Sequence, residues 1–203
     1  MEVAYGSARF VDEHQIEVLD ENQNPTCRIA AGFTLIATGS RPRHPIEVPE
    51  EPHLFMDSDG VFRMPEVPKS IMVLGAGIIG CEYATMFAAL GIQVLLVDRR
   101  DEVLRMVDVE VGNRFRQYIE EIGVDIRLGT KIDQLRKAER GGAEIALTDG
   151  GSIEAERCFY SMGRVANVEG MDLEAAGINL DEMGNVPVNA LNKLDSVSAS
   201  DSV

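Results

Sequence analysis

The stretch Ser70-Ile-Met-Val-Leu-Gly-Ala-Gly-Ile-Ile-Gly80, continued by Cys81, Glu82 and Tyr83, decides the fold. Residues 71–74 are an unbroken apolar run, the pattern of a parallel strand covered on both faces, and Gly75, Gly77 and Gly80 follow at the G-x-G-x-x-G spacing. The three glycines have different roles: Gly75 makes the tight turn, Gly77 lets the backbone approach a pyrophosphate, and Gly80 allows close packing of helix on strand. The candidate cofactor-binding residues of this turn are therefore Gly75, Ala76, Gly77, Ile78, Ile79 and Gly80. Helix N–H groups and the positive end of the helix dipole would face the phosphates. The spacing of Ile79, Tyr83, Met86 and Leu90 predicts the buried face of that helix, which Gly91 ends. A second apolar strand, Val94 to Val97, leads to Asp98, about 20 residues beyond the glycines, where an acid can take ribose hydroxyls. A plain βαβ packing unit with glycines for turns is the other reading.

The 203 residues are 45% hydrophobic, enough for one large or two small domains. A formal charge of −15 argues against nucleic acid and against an anionic membrane surface, both of which reward basic patches. No apolar run reaches the roughly 18 residues of a membrane span, and the N-terminus lacks a basic and apolar leader, so the chain reads as cytoplasmic. Cys27, Cys81 and Cys158 lack metal or CxxC spacing and are expected to be small buried hydrophobes. His14, His44 and His53 make no metal or triad pattern and read as solvated loop residues.

In chain order, alternating runs over 8–20 predict a hairpin, and a third strand is expected near Cys27 to Ala30. Phe33-Thr-Leu-Ile-Ala-Thr-Gly39 reads as an apolar strand closing on Thr38 and Gly39. Residues 41–56 carry four prolines and read as a linker, followed by a short helix from Ser58 to Met64. After the fingerprint unit, Asp108 is expected to cap a second helix whose Val111, Phe115, Tyr118, Ile119 and Ile122 share a face and which Gly123 ends. Val124 to Leu128 reads as a half-buried strand, and three short strands follow over Ile132 to Arg136, Glu144 to Thr148 and Ser152 to Ala155. Cys158 to Arg164 is an apolar strand closing on Gly163.

The two halves repeat one plan, a three-strand meander and then an apolar strand ending at a glycine, but only the second copy has a fingerprint head. The chain is thus expected to begin inside a domain whose head is missing. The predicted fold class is α/β: a Rossmann-like three-layer dinucleotide-binding domain, with a parallel sheet, helices on one face and a β-meander on the other, flanked by pieces of an incomplete FAD-type domain. Expected boundaries are 1–65, 66–165 and 166–203.

Thr34-Leu-Ile-Ala-Thr-Gly-Ser-Arg-Pro42, Gly75-Ala-Gly-Ile-Ile-Gly-Cys-Glu-Tyr-Ala84 and Gly163-Arg164 together resemble the two-dinucleotide-fold flavoprotein disulfide reductase family. Within it, Val97-Asp-Arg-Arg-Asp-Glu-Val-Leu104 and Gly163-Arg-Val-Ala-Asn167 look like the pyridine nucleotide transhydrogenase branch; dihydrolipoamide dehydrogenase and mercuric reductase look similar in these regions. The resemblance covers the middle of a complete member. It implies NAD(P) and FAD as cofactors, hydride passing from NADPH by way of FAD to NAD⁺, and a homodimer for complete members. Ser200 stands where the family has a glycine that admits the flavin, with Asp201 after it, so FAD is expected of complete members rather than of this chain.

The resemblance also implies that Glu82 lies by the nicotinamide and that Gly163 and Arg164 reach the cofactor. Glu82 has a second explanation, interaction with the dipole of the helix whose first turn it is expected to occupy. Asp98 favours the free ribose hydroxyls of NAD, whereas Arg99 and Arg100 would attract a 2′-phosphate, as an enzyme accepting both nucleotides requires. An exposed charged loop is the alternative for the arginines. The sequence proposes no catalytic residue and no metal ligand. For this chain alone, nucleotide binding without turnover is expected, and a non-enzymatic nucleotide-binding module is the competing reading.

Overall fold

The structure, a computed structural model, describes residues 1–44 and 46–189. In chain order its strands are β1 (Ser7–Asp12), β2 (Gln15–Leu19), β3 (Pro25–Ala30), β4 (Ser40–Pro42), β5 (Phe55–Met56), β6 (Ser70–Leu74), β7 (Gln93–Val97), β8 (Val124–Arg127), β9 (Ile132–Lys137), β10 (Ala143–Leu147), β11 (Ser152–Ala155), β12 (Arg157–Tyr160) and β13 (Arg164–Ala166). Helix α1 spans Ile78–Ala89 and α2 spans Val109–Glu121. The chain separates into two units, Met1–Arg41 with the chain from Val165 onward, and Pro42–Arg164. The proline-rich residues 42–65 therefore fall with the fingerprint unit, and β5 among them is a strand of its sheet.

In the second unit five strands run parallel in the order β5-β12-β6-β7-β8. Their alternation sorts side chains onto two cores. Ile71, Val73, Val94, Leu96 and Phe159 face Cys81, Ala84 and Phe87 of α1 and Ile119 of α2. Met72, Leu74, Val97, Cys158 and Tyr160 face Leu135, Ala143, Ile145 and Ile153 of the antiparallel meander β9-β10-β11. Helices lie on one face and the meander on the other, which is the three-layer α/β arrangement expected. β6 is buried on both sides, with Met72, Val73 and Leu74 at 0% exposure, as its unbroken apolar run requires.

Asp108 caps α2 by accepting from the Glu110 N–H at 2.9 Å. Two helix faces differ from the periodicity. On α1 the buried residues are Gly80, Cys81, Ala84 and Phe87, whereas Met86 and Leu90 are exposed. On α2 Gly112 and Ile119 are buried, and Val111, Tyr118 and Ile122 are exposed. In both helices small residues share the inward face with a large one, Gly80, Cys81 and Ala84 with Phe87 and Gly112 with Ile119, while Ile79, Tyr83 and Phe115 of the expected faces are half-buried against the same core. The expected helix after Ser58 is a single 3₁₀ turn, Val61–Arg63.

The first unit contains the antiparallel meander β1-β2-β3, beside a core of Phe10, Val168, Leu173 and Ile178. Residues 33–39 form no strand: Phe33 is 99% and Leu35 89% exposed, and only Ile36 packs on that core. An apolar strand needs hydrogen-bonding neighbours and cover on both faces, and β1, β2 and β3 pair only with each other among the described residues. Cys27 is likewise exposed rather than buried, since all six residues of edge strand β3 face solvent. Among the described residues no helix is long and apolar enough to cross a membrane.

The two meanders share one arginine–glutamate pair across their first two strands and differ at the third. In the first, Arg9, Glu17 and Arg28 sit in register across three strands; in the second, Arg136, Glu144 and Glu154 do. Arg9 Nε and Nη2 donate to Glu17 Oε2 at 3.0 and 2.6 Å. Arg136 Nε and Nη2 donate to Glu144 Oε2 and Oε1 at the same 3.0 and 2.6 Å. Hydrogen bonds from Arg9 and Arg28 hold the Glu17 carboxyl below the usual carboxylate range, and Arg136 does the same for Glu144.

Candidate nucleotide-binding turn

β6 delivers the chain into the glycine turn and α1 carries it away, so the turn sits at the carboxyl end of a central parallel strand, where open α/β sheets bind ligands. Gly75 N–H donates to Val97 O at 2.9 Å, which ties the turn to β7. Ala76 is held twice. Its N–H donates to Asp98 Oδ2 at 2.7 Å, and its carbonyl accepts from Leu104 N–H at 2.8 Å. Asp98 Oδ1 accepts from Arg100 N–H at 2.8 Å, so one buried carboxylate pins both the turn and the following loop. A carboxylate offers about four lone-pair directions, which leaves capacity on Asp98 for a hydroxyl partner.

The three glycines are required for different reasons. Gly75 takes φ +101°, and a Cβ there would lie 2.6 Å from Ser161 O. A Cβ on Gly80 would lie 1.7 Å from Gly75 O, so the packing of α1 against the turn admits no side chain. At Gly77, with ordinary extended backbone (φ −82°, ψ −173°), a Cβ would meet nothing within 4 Å. The protein itself does not need a glycine at 77. Gly77 is also the N-cap of α1, provides no side-chain cap, and is followed by a first turn without an acid, with Ile78 exposed and Ile79 half-buried. Backbone N–H groups at such a helix start suit an anion.

Glu82 is exposed in the second turn of α1, not the first as expected, so the helix-dipole account of it weakens. Arg99 and Arg100 are exposed just beyond β7. Gly163 and Arg164 follow β12, the neighbour of β6; Gly163 O accepts from Arg43 N–H at 2.9 Å and Arg164 Nη1 donates to Ser58 Oγ at 3.3 Å. Thr38 and Gly39 belong to the first unit, where the Thr38 and Gly39 carbonyls accept from Asn167 at 3.2 and 3.0 Å. Ser200 and Asp201 lie outside the described residues.

Ser161 carries no mark of its importance in the sequence. Its N–H donates to Leu74 O at 2.8 Å, its Oγ lies 2.9 Å from Leu74 O and 3.3 Å from Gly75 O, and it closes the space at both Gly75 and Gly80. The available signal was its place immediately after the strand that pairs with β6. Cys81 lies beneath the turn with Sγ 3.5 Å from Ala76 O. Burial, with Asp98 and Glu82 adding to it, pushes its thiol up to about 12, and burial pushes Cys158 upward too, so neither is a nucleophile at neutral pH. Among the described residues no cluster of three or more His, Cys, Asp or Glu is placed to hold a metal ion.

The family model described as pyridine nucleotide-disulphide oxidoreductase matches residues 1–198. A soluble pyridine nucleotide transhydrogenase of Mycobacterium bovis is 34% identical over 93% of this chain and 40% of its own length. One from Pectobacterium atrosepticum is 34% identical over 94% of this chain, again 40% of its own length. The HOCl-induced flavoprotein disulfide reductase RclA of Escherichia coli superimposes with a TM-score of 0.76 at 24% identity, over 93% of this chain and 42% of that one, a likeness of fold. The chain thus spans about two-fifths of the curated relatives it matches.

Proposed function

Since this chain belongs to the pyridine nucleotide-disulphide oxidoreductase family, we propose that its second unit binds a nicotinamide dinucleotide, with the pyrophosphate at Gly77 and the start of α1. The observation that carries this is the open space at Gly77, between two glycines that the protein's own atoms close off. A ligand, not the fold, is what a side chain at 77 would exclude.

A bound nicotinamide nucleotide supplies hydride exchange. The chain's own residues supply docking. Backbone N–H groups at 77–80 present donors to the phosphates, Asp98 holds the turn rigid while accepting a ribose hydroxyl, and Arg99 and Arg100 offer cations for a 2′-phosphate. Glu82, Gly163 and Arg164 are proposed to meet the nicotinamide end, and Thr38 and Gly39 to serve the flavin side of a complete member. The activity proposed for the complete protein is transhydrogenation, NADPH to NAD⁺ by way of FAD. It is supported by the transhydrogenase relatives at 34% identity and by both signs of charge in the loop at 98–100.

Gly77→Ala tests the assignment. Its thermal midpoint should stay within about 2 °C of wild type, because the added methyl meets nothing, while affinity for NADH and NADPH falls at least about tenfold by calorimetry. Unchanged affinity in a folded Gly77→Ala protein would overturn the placement of the phosphates.

A further inference from the structure

β5 and β12 are neighbours in the sheet, with Phe55 opposite Cys158 and Met56 opposite Phe159, and a polar cluster lies just beyond their carboxyl ends. Asp57 Oδ1 accepts from the Asp59 and Gly60 N–H groups at 2.9 and 2.8 Å and so shapes the turn after β5. Asp57 Oδ2 stands 3.6 Å from His44 Nε2, which is itself 3.5 Å from the Tyr160 hydroxyl. Next along the turn, Ser58 Oγ donates to Asp59 Oδ1 at 3.4 Å and accepts from Arg164 Nη1 at 3.3 Å. The single hydroxyl proton is spent on Asp59, so a lone pair of Ser58 is turned to the guanidinium.

We propose that Ser58 is a positioning residue for Arg164: it fixes the guanidinium beyond β12 before nucleotide arrives. The proposal rests on the dinucleotide reading above. A long arginine side chain loses rotamer freedom when it binds, and a guanidinium ordered in advance loses less on meeting an anionic or amide partner. Asp57 and Asp59 act behind Ser58, one by fixing the backbone turn and the other by orienting the hydroxyl. Ser58 is not needed to hold this turn in place. Met56 and Val61 on either side anchor it in the helix-side core at 2% and 8% exposure, and the Asp57 bonds shape it.

Calorimetric titration of the full chain with NADH and NADPH, wild type against Ser58→Ala, tests this. Loss of one such hydrogen bond predicts affinity about 3- to 10-fold weaker in Ser58→Ala, with the thermal midpoint unchanged. Ser58→Thr, which keeps the hydroxyl, should return to within about twofold of wild type. In an Arg164→Gln background Ser58→Ala should cost nothing further, a non-additivity that a merely structural serine would not show. Wild-type affinity in Ser58→Ala, or the same loss with and without Arg164, would overturn the proposal while leaving the dinucleotide reading intact. A wild-type chain that binds neither nucleotide would instead remove that reading, and this proposal with it.

Discussion

Asp98 and Gly80 show how much of the turn depends on single atoms. Removing the Asp98 carboxylate strands the N–H of Ala76, which is 3% exposed, and frees the loop at Arg100. Asp98→Ala should therefore cost about 2–3 kcal/mol of unfolding free energy in urea, and Asp98→Asn, which keeps one acceptor, about 1 kcal/mol. Equal stabilities for all three proteins would show that the carboxylate does not pin the turn. Gly80→Ala differs in kind from Gly77→Ala, because its methyl would overlap Gly75 O; it should lower stability severely whether or not nucleotide is present. The glycines, the turn made by Gly75 and the close packing at Gly80 were legible from spacing alone. What was not legible is the atom that closes Gly75, Ser161 O, 86 residues away, whose side chain also crowds Gly80 behind Gly75 O; no local pattern reports such a neighbour.

At the scale of elements, the duplicated arginine–glutamate ladders predict a shared acid response. Glu17 and Glu144 have folded pKa values lowered by their arginines. Their contribution is present above the unfolded glutamate value of about 4.3 and is lost as pH falls through the lower folded value. The urea midpoint should therefore change little between pH 7 and pH 5 on their account and drop below about pH 4.3; Glu17→Gln with Glu144→Gln should flatten that drop. An undiminished slope in the double variant would assign the acid sensitivity to other carboxylates. Strands β6 to β12 were readable because each carries an apolar run or an alternation bounded by Gly, Asp or Pro. The buried face of α1 was not. With Ile78, Ile79, Met86 and Leu90 all apolar, periodicity cannot choose a face, and the inward choice fell to Gly80, Cys81 and Ala84, whose small size matters only against a sheet. Residues 33–39 mark the converse limit, since composition can show that a segment suits a buried strand but not whether a neighbour is present to bury it.

For the molecule as a whole, the second unit has its sheet, both covering layers and a helix start without a side-chain cap at the end of the central strand, so the nucleotide binding proposed above calls on this unit alone for the phosphates. Hydrogen bonds that brace it join residues distant in sequence, such as Ser58 with Arg164 and Ser161 with Leu74, and were invisible until the fold brought them together. The most direct measurement is a titration of ¹⁵N-labelled full chain with NADH, following backbone amide resonances. The account predicts saturable shifts at Gly77, Ile78, Ile79 and Gly80, with little change in the β1-β2-β3 meander. Saturation of NADH binding without movement of those four amides, or no binding at millimolar nucleotide, would contradict it.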